Sequence, residues 1–69
     1  KGQIMRSFKL FGVKNGGPEV YIDTISDPTA GKVIRDRLLA EKQYDYLRCR
    51  DCLGGLRFEI NLATGRKTA

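Results

Sequence analysis

Sixty-nine residues, 30% of them charged and 41% hydrophobic, make one folded domain and leave no room for a second. The chain has no His and no Trp, which excludes Ser-His-Asp and Cys-His catalysis and any His-containing metal site. Thirteen Lys and Arg against eight Asp and Glu leave a net charge of +5, a balance that favours acidic partners: nucleic acid, an acidic protein surface or anionic lipid.

Taken in order, Gln3 to Val13 reads as a strand. Ile4, Phe8 and Leu10 share one parity, and Ser7, Lys9 and Phe11 share the other. Lys14-Asn15-Gly16-Gly17-Pro18 follows. Asn-Gly tolerates the positive φ of a type I′ turn and marks a hairpin, and Pro18 suits a strand start or an edge. Glu19 to Ile25 is the return strand. Asp27-Pro28 is a helix start, with Asp27 capping free amides and Pro28 in the first helical position. The helix is expected over about Pro28 to Gln43. Ile34 and Leu38 would be its buried stripe, Val33 and Leu39 its flanks, and Lys32, Asp36 and Gln43 its wet side. Gly31 lies in its first turns and would either permit close helix–sheet approach or delay the helix start.

Tyr44 to Arg50 is expected as strand three and Leu56 to Leu62 as strand four, with Leu53-Gly54-Gly55 turning between them. Leu56-Arg57-Phe58-Glu59-Ile60-Asn61-Leu62 alternates at every step, which puts Phe58 at the centre of a buried strand face. After the Ala63-Thr64-Gly65 turn, Arg66 to Ala69 reads as a frayed basic tail. The expected fold is α+β, ordered ββαββ: a small antiparallel sheet of two hairpins with one helix on one face. So short a chain buries only about 60% of its unfolded surface, so a disulfide, a metal or a second copy would help it. Monomer and homodimer both remain open. No apolar run approaches the length of a membrane helix and no signal peptide is visible, so no membrane partner is expected and the cytoplasm is the default setting. A start at Lys1 rather than Met is what a trimmed chain would give.

Cys49-Arg50-Asp51-Cys52 admits three readings. Tyr46-Leu47-Arg48-Cys49 followed by Cys52-Leu53-Gly54 resembles the knuckle of a zinc ribbon, in which two thiolates meet the metal at a tight turn. A ribbon needs two further ligands. The resemblance therefore implies zinc only if Cys49 and Cys52 meet the same pair of a second chain. Alternatively the thiols form a redox pair, their pKa lowered by Arg50, or they are two small side chains of a domain interior.

Parity also defines a second constellation. If Ile4, Phe8, Leu10, Val20, Ile22, Leu47, Leu56, Phe58 and Ile60 face the helix, then Lys9, Phe11, Tyr21, Tyr46, Arg48, Arg50 and Arg57 face away, among Asp23 and Glu59. Cations interleaved with aromatic rings suit nucleic acid, the cations for phosphate and the rings for stacking. The same composition also fits an ordinary solvated sheet face. Lys32, Arg35, Arg37 and Lys42 form a helix stripe interrupted by Asp36 and Glu41, the pattern of a solvated helix. No Gly-rich phosphate loop is present and the carboxylates stand singly, so no enzyme is expected. The leading expectation is a non-enzymatic nucleic-acid-binding module using Lys9, Tyr21, Tyr46, Arg48, Arg50 and Arg57. The alternative is a protein-interaction module, an inhibitor or adaptor that docks on a host protein by a hairpin edge or the same face. Size, charge and compactness are similar to those of small phage and mobile-element proteins.

Overall fold

The computed structural model describes residues 7–68. Its elements are β1 (Phe8–Val13), β2 (Val20–Ile25), α1 (Pro28–Glu41), β3 (Tyr46–Arg50), β4 (Leu56–Asn61) and β5 (Arg66–Thr68). The expected residues Gln3 to Arg6 of strand one, Ile4 among them, lie outside the described residues.

The five strands form one antiparallel sheet in the order β2-β1-β3-β4-β5. The class is therefore α+β with one helix, as the alternation implied, and β1 is the strand that joins the two hairpins. Because β1 runs antiparallel to both β2 and β3, those two run parallel to each other. A parallel return needs a long crossover, and α1 supplies it.

Local chemistry accounts for each turn. Asn15 and Gly16 both have positive φ, 55° and 69°, and the Gly17 amide donates to the Lys14 carbonyl at 2.9 Å, closing the first hairpin as Asn-Gly dictates. Asp27 caps the helix, its Oδ1 accepting from the Ala30 amide at 2.9 Å. Lys42 ends it in the left-handed region at φ 55°, its amide donating to the Leu38 carbonyl, so the helix stops at Glu41 rather than near Gln43. At Gly31 a Cβ would lie 2.9 Å from Ile25 Cδ1, which settles that glycine as a close-approach residue inside the helix. Asp51 orders the β3–β4 turn: its Oδ1 accepts from the Leu53 and Gly55 amides at 3.0 and 2.8 Å.

The frayed tail is a correction. Asn61 Oδ1 accepts from the Ala63 and Thr64 amides, and Gly65 turns at φ 77° with its amide on the Asn61 carbonyl. That turn folds Arg66–Thr68 back onto β4 as β5, with Lys67 opposite Ile60.

The core lies between α1 and the central strands. Leu10, Ile34, Leu38, Leu47, Cys49, Ile60 and Leu62 are buried together, and Phe8, Ile22, Ile25, Leu39, Tyr44 and Phe58 pack around them. Val33 is the exception to the expected helix flanks, being mostly exposed. The helix starts over the Ile25 end of the sheet, and the chain re-enters the sheet at Tyr46 rather than Tyr44, the Tyr44 ring lying just before β3 and covering Gly12. A Cβ on Gly12 would lie 2.6 Å from that ring.

Two bulges break the alternation. The β1–β2 register shifts between Leu10 and Phe11, so that Ile22 is the extra residue and Asp23 comes opposite Leu10. The β3–β4 register shifts between Cys49 and Arg50, so that Arg57 is the extra residue. Cys49 pairs with Phe58 on the helix side, whereas Arg50 pairs with Leu56 on the far side. Leu56 is accordingly half-exposed rather than buried, and Arg57 leaves the outer face for the helix side. Val20, expected inward, sits on the edge strand and is also half-exposed.

Candidate nucleic-acid interface

The sheet brings Lys9, Tyr21, Tyr46, Arg48 and Arg50 to its outer face and takes Arg57 away from it. Lys9 is exposed between Thr24 and Arg50, and Tyr46 is half-buried between Val13 and Asn61. Tyr21 meets the Phe11 ring edge-on at 6.0 Å, and its hydroxyl shares a 2.7 Å hydrogen bond with that of Thr24.

The two arginines are not free. Arg50 grips Glu19 with two bonds, Nε to Oε1 at 2.9 Å and Nη2 to Oε2 at 2.6 Å. Arg48 reaches the same Glu19 Oε2 at 2.9 Å through Nη1, and Glu59 at 2.8 Å through Nε. Arg50 Nη1 also donates to the Gly54 carbonyl. The chain Arg50–Glu19–Arg48–Glu59 thus ties the entry of β2 to β3 and β4. Hydrogen bonds from Arg50 and Arg48 hold the Glu19 carboxyl at about 2, well below its ordinary 4.5. A carboxylate whose folded pKa is depressed stabilises the fold above its unfolded pKa, and that contribution is lost as pH falls through the folded value. Stability contributed by Glu19 should therefore be full above about pH 4.5 and disappear towards pH 2. In urea melts at stepped pH, Glu19→Gln should lower stability at neutral pH and flatten the loss across that acid window. An acid limb as steep as wild type would contradict the network's role.

The cysteines do not form a pair directed at one ligand. Cys49 is buried in the core between Leu10 and Phe58, and Cys52 is exposed in the turn. A zinc shared across a dimer needs both thiolates at one point of the surface, and Cys49 has no such access, so these residues do not fit the metal. Among the described residues no group of three or more His, Cys, Asp or Glu could hold a metal ion. Burial pushes the Cys49 thiol up, with Arg57 and Lys67 pulling the other way. Arg50, expected to activate the thiols, lies on the opposite face against Glu19.

On the helix side, the first half of α1 and the β4–β5 edge enclose a groove of about 530 Å³. Its apolar floor includes Phe8, Leu10, Ile25, Phe58 and Ile60. Lys32 and Arg35 of the helix, the bulged Arg57 of β4 and Lys67 of β5 carry its positive charge. Lys67 Nζ lies 4.5 Å above the Phe58 ring. Arg35 is bonded to its neighbour Asp36 at 3.1 Å, while Lys32, Arg57 and Lys67 have no ion pair among the described residues. Asp27 is the carboxylate in the lining, and its Oδ1 serves the helix cap. The alternation pattern missed this group: the bulge hid Arg57, and the hidden fifth strand left Lys67 without a place.

Among the described residues no helix is long and apolar enough to cross a membrane. No protein-family model, curated protein or solved structure matches this chain.

Proposed function

We propose that this protein is a non-enzymatic nucleic-acid-binding module and that its contact surface is the helix-side groove rather than the outer sheet face. The observation that supports it most is the gathering of Lys32, Arg57 and Lys67, which have no ion pair among the described residues, with Arg35 around a floor that holds two phenylalanine rings. A basic groove set with aromatic side chains is how proteins follow a phosphate backbone while taking up bases. The outer face is the weaker candidate, because a phosphate there would have to displace Glu19 and Glu59 from Arg48 and Arg50 and would then face both carboxylates. A cytoplasmic setting goes with this reading.

The test is a salt series with labelled random-sequence oligonucleotides. Binding should be tightest at low salt. Arg57→Ala and Lys67→Ala should each reduce the slope of log affinity against log salt by about 0.7 to 0.9 per lost phosphate contact. Absence of binding at about 50 mM salt, where electrostatic affinity is strongest, would sink the proposal. A protein-docking reading would then take its place. What favours that reading is the β3–β4 tip, where Leu53 is 92% exposed beside half-exposed Leu56.

A further inference from the structure

Resting on the nucleic-acid reading, we infer that the groove takes a single strand: an unpaired base enters between α1 and β4 against Phe8 and Phe58, and the flanking phosphates lie on Lys32, Arg57 and Lys67. A duplex offers a protein its phosphates and the base edges in its grooves, but its base faces are stacked and hidden. A protein suited to duplex would need cations on a surface that can meet a groove or a backbone, and it would gain nothing from an apolar cleft between them. Here the cations surround a concavity whose floor is Phe8, Leu10, Ile25, Phe58 and Ile60. Its volume of about 530 Å³ falls within the roughly 300–1,000 Å³ typical of small-ligand sites, the scale of a nucleotide rather than of a helix.

The ligand must therefore present a flat apolar body and an anion side by side. Each unit of a single strand does so. Both phenylalanines are half-buried, packing against the core and lining the groove. Lys67 Nζ lies over the Phe58 ring, so a base that stacks there takes the place of the ammonium, which then meets the flanking phosphate. The bulge at Arg57 provides the remaining piece, because regular pairing would have sent that guanidinium to the far side of the sheet.

The experiment compares a labelled oligothymidylate, the same sequence in duplex form, and an acidic peptide containing aromatic residues, by fluorescence anisotropy on the full chain. The expected result is single-strand binding at least tenfold tighter than duplex. Phe58→Leu and Phe8→Leu keep an apolar side chain in the core, and their folding is checked by circular dichroism. Each should weaken single-strand binding by roughly tenfold, with the salt slope unchanged and duplex binding unaffected. Equal affinity for single strand and duplex, with no effect of either Leu variant, would overturn this inference and leave the nucleic-acid reading standing. Tighter capture of the acidic peptide than of either nucleic acid would overturn both, as would no binding of any probe.

Discussion

Arg57→Glu combined with Lys67→Glu is expected to abolish nucleic-acid binding while leaving the fold intact. Both side chains are exposed and neither has an ion-pair partner among the described residues, so little stability depends on them. At the groove, each reversal removes a phosphate contact and puts a carboxylate where the phosphate would lie. Like charges brought together cost several kcal/mol, so the affinity loss should be on the order of 100-fold or more. Net charge alone would also weaken binding, and the control must carry the same change. Lys14→Glu with Lys42→Glu does so with two cations that are exposed and not part of the groove. That pair should cost only a few-fold, since screening shrinks the effect of charges beyond about 10 Å at 0.1 M salt. Equal losses in the two double variants would mean a diffuse attraction with no site.

Leu47→Ala should be the most damaging single truncation for stability. Leu47 is 1% exposed and lies on the central strand between Gly12 and Ile60. Truncating a buried leucine costs about 2–5 kcal/mol, the loss of buried apolar surface plus the cavity left behind. In a chain this short a single core rarely supplies more than about 3–5 kcal/mol of net stability. Much of the population should therefore be unfolded, read as loss of the cooperative urea transition. Leu53→Ala, at the exposed β3–β4 tip, should change stability by no more than about 0.5 kcal/mol. A Leu47→Ala protein that melts like wild type would mean that the core is elsewhere.

Strict alternation makes Phe58 the centre of the core, and the structure gives that place to Leu47, Leu10 and Cys49. The difference shows how far local pattern reaches in this chain. Asn15-Gly16, Asp27-Pro28 and the Ile34/Leu38 spacing each act within a few residues, and each lies where its own chemistry puts it. The helix on one face of an antiparallel sheet follows from them. The bulges at Ile22 and Arg57 do not, because a bulge is decided by the partner strand's register and leaves no mark on the alternation of its own strand. One such residue carries Arg57 from one face of the sheet to the other. β5 had a readable signal, Asn61 and Gly65 flanking a tight turn, but Arg66-Lys67-Thr68 has too little apolar content to look like a strand. The Glu19 network was invisible for a different reason. Glu19 lies 29 and 31 positions from its arginines, and only the β2-β1-β3 order brings them together.

The central claim is that anionic ligand meets the helix-side groove and not the outer sheet face, and amide chemical-shift mapping with a short oligothymidylate tests it residue by residue. Shifts should saturate together at Gly31, Lys32, Arg57, Phe58 and Lys67, with Lys9, Tyr21 and Tyr46 left in place. Shifts gathered at Lys9, Tyr21, Tyr46 and Arg48, with the groove silent, would contradict it and return the interface to the outer face of the sheet.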